Sequence, residues 1–139
     1  MSQMRDTVAI EKSVHALYQE LTEGTDPVNT PFRTMKDVFM WAMLLGVRVG
    51  ERKPLERREV IFRWGQFSSE TDVPLIKAVS LATDDDVAVL ASRDAMLTSA
   101  EEFANVGIHV LYGTLTSEPG RALWNLIPLL GLPNQNETR

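Results

Sequence analysis

Apolar positions along the chain recur mostly at the spacing of a helix. Ile10, Val14, Leu17, Tyr18 and Leu21 line one face of an amphipathic helix. Asp6 or Thr7 stands where its N-cap belongs, and Gly24 where it stops. Residues 25–31 hold two prolines with Asp26 and Asn29, which predicts an irregular connection. A second start signal comes at once. The Thr34 hydroxyl can accept from an early helix N–H, and Asp37, three residues on, favours the positive end of the dipole. Residues 38–45 are then apolar nearly all round, so this helix belongs in the core with Trp41 inside it, and Gly46 closes it.

After Gly46 the texture changes. Residues 47–58 carry five basic side chains and two turn formers with no helical apolar face, which predicts a basic loop. Val60, Ile61, Phe62 and Trp64 are β-formers that stop at Gly65; one short strand fits here, provided that this chain or another supplies a partner. Asp72 and Pro74 open a further helix through Leu75, Ile76, Val79 and Ala82. Asp84, Asp85 and Asp86 cap a short one with Val87, Val89 and Leu90.

Asp94 can cap the longest helix, whose stripe is Met96, Ala100, Phe103, Ala104, Gly107, Ile108 and Leu111. Gly107 inside it costs roughly 1 kcal/mol relative to Ala, so another backbone is expected to approach there. Leu123, Leu126, Ile127 and Leu130 form a last stripe after Pro119, shortened or kinked by Pro128. The expected fold is mainly α: one helical bundle of five to six helices over residues 1–132, with a basic loop and at most one or two short strands, then a polar disordered tail at residues 133–139.

Composition narrows the function classes. The chain has 139 residues and no cysteine, which excludes disulfides, thiol nucleophiles and cysteine metal sites. Its first residues lead into a charged pattern unlike a signal sequence, and residues 38–45, the longest apolar run, are too few to span a bilayer. A cytoplasmic protein without membrane contact is expected. Charge is polarised: residues 33–63 hold eight of the fourteen Lys and Arg but four of the nineteen acids, giving this segment +4 and the remainder −9. Such a chain can turn one basic face to a polyanion or an acidic partner.

Candidate catalytic groups each have a structural rival. His15 and His109 lie in separate helical segments without H-x-x-x-H or H-E-x-x-H spacing; His15 is expected to face solvent and His109 to be partly buried. Asp84, Asp85 and Asp86 offer oxygens that suit Mg²⁺ or Ca²⁺, but three adjacent side chains do not converge on one ion without a special loop, and helix capping accounts for them. No phosphate-binding loop, dinucleotide fingerprint or nucleophile elbow is present. Neither a cofactor nor a metal is called for. The stronger candidate is the basic set Arg48, Arg52, Lys53, Arg57, Arg58 and Arg63, with Trp64 and Phe67 beside it, which joins phosphate-pairing groups to aromatics that stack on bases or anchor a protein. Its rival is a solvated loop in which Glu51, Glu56 and Glu59 pair with those arginines.

The motif Phe32-Arg-Thr-Met-Lys-Asp-Val-Phe-Met-Trp-Ala-Met-Leu-Leu-Gly46, continued by Gly50-Glu-Arg-Lys-Pro-Leu55, resembles the small Dnd-associated proteins found beside bacterial DNA phosphorothioation genes. The likeness extends to Ile61-Phe-Arg-Trp64 and Phe103-Ala-Asn-Val-Gly-Ile108, with Val106 where a second glycine is expected. It implies a setting: an accessory protein in a system that marks DNA with sulfur and attacks unmarked DNA. It transfers no catalytic residues. Sulfur insertion itself needs cysteine or iron–sulfur chemistry that this cysteine-free sequence does not supply. The expected function is a non-enzymatic accessory whose basic loop binds duplex DNA or another Dnd protein. The alternatives are a small metal-dependent hydrolase or nuclease using Asp84 to Asp86, and a homo-oligomer that pairs the edge of the strand at residues 60–64.

Overall fold

Three of the first four residues of the expected N-terminal helix, Thr7, Val8 and Ile10, are β-branched, and they form a strand. The computed structural model describes residues 5–23, 32–84 and 87–117. Their order is β1 (Thr7–Glu11), a 3-10 turn (Lys12–Val14), α1 (His15–Thr22), α2 (Met35–Val49), β2 (Arg58–Arg63), a 3-10 turn (Trp64–Gln66), α3 (Asp72–Asp84), a 3-10 segment (Val87–Ala91) and α4 (Arg93–Leu115). The chain is mainly α, as the periodicity predicts, but its described residues hold four α-helices rather than five to six. The short helix of Val87 and Leu90 is 3-10 in kind. The stripe at residues 123–130, the connection at 25–31, Gly24, Asp85, Asp86 and the tail lie outside the described residues.

β1 pairs antiparallel with β2, in register from Thr7 opposite Arg63 to Glu11 opposite Arg58. The pairing takes Asp6 and Thr7 out of any capping role, and the helix begins only at His15. A strand partner far along the chain overrides local helical spacing, which is the usual limit of periodicity over short segments. Val8 and Ala9, adjacent in β1, face Phe62 and Val60, so Ile61 is an extra residue in β2.

Thr34 caps α2 as its sequence position demands, accepting from the Asp37 amide at 3.2 Å. The helix does not stop at Gly46. It runs to Val49 and ends on Gly50, whose φ of 84° is the left-handed conformation that glycine adopts without a Cβ penalty. Gly46 serves packing instead. A Cβ there would strike the Phe103 carbonyl, and a Cβ on Gly107 would strike the Ala42 carbonyl and lie 2.7 Å from the Gly46 nitrogen. Ala42 and Gly46 thus meet Phe103 and Gly107 backbone to backbone, and α2 against α4 is the principal helix pair.

α4 starts two residues earlier than a cap at Asp94 would place it. Ser92, still extended, accepts from the Ala95 amide at 3.1 Å, while Asp94 sits inside the first turn. Its stripe from Met96 to Leu111 is buried throughout. Phe62 of β2 packs edge-on to Phe39 of α2 and to Phe67, at ring separations of 5.7 and 5.2 Å, tying the sheet to the core. Trp41 is half-buried against that core rather than inside it. Asp72 begins α3 and holds it to α2 through Lys36 at 2.8 Å; that carboxylate raises the Lys36 pKa against the opposing effect of burial. No described helix is long and apolar enough to cross a membrane.

The helix crossing and the α2 cap each carry a stability consequence. Gly107→Ala is expected to lower stability by roughly 1–3 kcal/mol because the helices must separate, whereas Gly113→Ala, in open space on the same helix, is expected to raise it by about 0.5–1 kcal/mol. Equal urea midpoints for the two variants would show that the crossing is not tight. Thr34→Ala is expected to cost about 0.5–2 kcal/mol, and an unchanged midpoint would place the functional start of α2 elsewhere.

Candidate functional site

Beyond Gly50 the backbone runs without regular structure to β2, yet other elements hold it at nearly every step. The Lys53 amide donates to the Glu102 carbonyl at 3.1 Å, and the Asn105 side-chain amide donates to the carbonyls of Lys53 at 3.1 Å and Pro54 at 3.4 Å. The Glu11 carboxylate accepts from the amides of Glu56 and Arg57 at 2.7 and 3.0 Å, while Lys12 N–H bonds to the Arg57 carbonyl at 2.8 Å. The Glu56 amide, seconded by that of Arg57, keeps the Glu11 carboxyl below its usual pKa against a weaker opposing effect of burial. Arg52 reaches Glu102 at 2.8 Å and lies over the Phe103 ring at 5.3 Å. The loop is therefore laid down on α4 and β1. Glu11 has no sequence signal of its own, because its partners are backbone groups from a distant segment, whereas Asn105 falls within the motif at residues 103–108.

The least expected residue is Glu101. Its side chain is 1% exposed in the middle of α4, where an unpaired carboxylate would be costly. It is fully engaged. Arg5 donates to it, Arg58 donates from one guanidinium nitrogen to both oxygens at 3.0 and 3.1 Å, and the Ala9 amide donates at 2.8 Å. One carboxylate thus gathers the N-terminal segment, β1 and β2 onto α4. Its two cations lie 96 and 43 residues away along the chain, so no local motif announces it.

The basic candidates therefore separate by surroundings. Arg52 and Arg58 are committed to Glu102 and Glu101, although the Arg58 side chain stays 48% exposed. Arg48, in the last turn of α2, is exposed, as are Lys53 and Arg57, and none of the three makes an ion pair among the described residues. Arg63 is 77% exposed with Asp6 at 3.4 Å. Trp64 is half-buried: Arg93 covers its ring at 4.5 Å and Phe67 meets it edge-on. Phe67 is buried. Glu51, Glu56 and Glu59, which the rival reading pairs with the arginines, form no ion pair with them among the described residues; Glu102 and Glu101 of α4 take that part, and Glu59 faces His15 at 3.8 Å.

The other candidates are dispersed. His15 is half-buried beside Glu59, and His109 is exposed, not partly buried, because it lies on the side of α4 opposite the stripe. Asp84 is the last residue of α3. Among the described residues no group of three metal-binding side chains converges. The Tyr18 hydroxyl is fully buried without a hydrogen-bond partner among the described residues, and burial pushes its pKa up.

Glu101→Ala is expected to cost roughly 3 kcal/mol, since it strands the Ala9 amide and two cations that are only partly hydrated. Faster hydrogen exchange at Ala9 should accompany the loss; a variant that melts like the parent with Ala9 still protected would show that Glu101 does not hold the sheet.

No curated relative and no solved structure matches the chain. A family model does, over residues 7–137, a span that takes in both strands, the anchored loop and the four described helices. That match joins the motif at residues 32–55 to the loop and helix α4 on which it rests, and the chain belongs to the family of DNA sulphur modification system-associated protein 4.

Proposed function

We propose that the protein is a non-enzymatic accessory of a Dnd sulfur-modification system, cytoplasmic and linked to defence, that docks on an acidic partner protein of that system through its basic loop. The observation that carries this is the pinned loop itself: Lys53 and Arg57 stand exposed on backbone fixed by Glu102, Asn105 and Glu11, flanked by exposed Arg48 in the last turn of α2 and Arg63 at the end of β2. A fixed loop loses little conformational freedom on binding, so its charges are arranged before the partner arrives. The family membership supports the Dnd setting.

Duplex DNA is the other polyanion that a basic face suits. The protein reading is favoured because Arg52 and Arg58 are already paired, exposed Glu51 and Glu56 interrupt the remaining cations, and the chain as a whole carries −5. Phosphate backbones reward dense, unbroken positive charge.

The test changes Arg48, Lys53 and Arg57 together to Glu, leaving the internal pairs intact. The thermal midpoint is expected to move little, while co-purification with the co-expressed Dnd proteins falls by about tenfold or more. Undiminished association would remove the loop from the interface. DNA retention that the triple variant abolishes, with a salt slope near −0.9 per phosphate and protein association intact, would replace the partner protein by DNA.

A further inference from the structure

A two-stranded sheet has two outer edges, and here they are unlike. The β1 edge is closed: Val8, Ala9 and Ile10 are buried, and the Ala9 N–H, which points away from β2, is occupied by Glu101 at 2.8 Å. The β2 edge is open. No third strand joins it among the described residues, and Arg58, Val60 and Arg63 are exposed along it. Trp64 N–H bonds inward to the Asp6 carbonyl, and the Arg57 carbonyl accepts inward from Lys12. By the alternation of an antiparallel ladder, Arg63 and Arg58, next to them, turn their main-chain groups outward. Between them Val60, a β-branched apolar residue, is 56% exposed.

We infer that this edge of β2 is the docking element, and that it takes up an extended acidic segment of the partner protein as a third strand. The inference rests on the preceding reading of an acidic protein partner and supplies its mode of binding. Main-chain hydrogen bonds to an open edge give such complexes their affinity, and flanking side chains select the sequence.

Charge decides the occupant. Proteins guard open edges with charged residues and bulges, and β2 has both, in Arg58, Arg63 and the extra residue Ile61. Here the guards at the two ends share one sign. Two copies of β2 paired antiparallel about the middle of the strand would set Arg58 against Arg63 twice, like charge against like. A second copy is thereby disfavoured, which counts against the homo-oligomer considered from the sequence. An extended segment with carboxylates at its two ends meets Arg63 at one end of the edge and Arg57, where the loop enters β2, at the other, and sets an apolar residue beside Val60, which shares its face of the strand with Arg63. DNA has no backbone that continues a sheet.

The probe is the synthetic peptide acetyl-Glu-Thr-Val-Thr-Val-Thr-Glu-amide, titrated into the full chain and followed by residue-resolved amide hydrogen exchange. The amides of Arg58 and Arg63 are expected to gain about tenfold protection or more. Arg63→Glu, at a largely exposed position outside the core, is expected to abolish that gain without changing the melt. Peptide binding that perturbs only Lys53 and Arg57, with no protection along β2, overturns the edge and leaves the basic-loop reading standing. Protection of the same amides without peptide, together with dimers in sedimentation, overturns the acidic occupant in favour of a second copy. Absence of peptide binding, while the loop triple variant still loses its Dnd partners, overturns the strand-addition mode alone.

Discussion

The close crossing of α2 and α4 at Gly46 and Gly107 is the constraint on which the rest of the molecule is built. Two helices with ordinary side chains at the contact keep their axes about 8–10 Å apart. Here any Cβ at either glycine would enter the other helix's backbone. Two glycines inside helices each forfeit roughly 1 kcal/mol of helix propensity, a loss offset by the packing that their absence of side chains permits. The crossing also fixes the path of the chain beyond α2. Because the helix ends at Gly50 close beside α4, the left-handed turn there delivers the basic loop onto Glu102 and Asn105.

Glu101 depends on the same placement. It lies two residues before Phe103, the residue whose backbone meets Gly46, so one turn of α4 both receives α2 and presents the carboxylate to the sheet. Burying a charge this deeply is tolerable because three donors converge on it, two of them cationic. A two-stranded sheet is marginal by itself, and β1 and β2 are separated by the whole of α1 and α2. The anchor on α4 and the packing of Phe62 against Phe39 and Phe67 make that sheet part of the core.

Local chemistry makes the capped start of α2, the stripe of α4, the start of α3 and the strand at β2 legible in the sequence, because Thr34, Asp72 and the spacing from Met96 to Leu111 act through neighbours within a few residues. The close approach at Gly107 is legible for the same reason: a glycine in the middle of an apolar stripe weakens its own helix, and only a tight contact offsets that cost. Gly46 reads as a stop because a helix-ending glycine and a helix-crossing glycine look alike until the partner helix is placed. The segment from Thr7 to Glu11 reads as helix in the same way, its strand decided by residues 58–63. At the candidate site, composition picks out the basic positions but not their division into paired and exposed. That division is made by Glu101, Glu102, Glu11 and Asn105, which look like ordinary helix-surface and strand-end residues until the fold brings them to the loop.

The motif at residues 32–55 acquires a physical meaning from this arrangement. Thr34 sets where α2 begins, Gly46 sets how near it passes α4, and Gly50 sets the direction in which the chain leaves. The basic residues after Gly50 then divide between holding the loop and facing outward. Arg52 is spent on Glu102 and the Phe103 ring, and Arg58 on Glu101. A uniformly solvated loop would keep every charge but no fixed geometry; a fully paired one would have geometry but no free charge. Here paired arginines hold the backbone that displays the exposed cations, and β2, entered directly from that backbone, inherits its fixed position. The fixed spacing of the motif is thus a specification of where a small set of positive charges and the outer edge of β2 stand relative to the core.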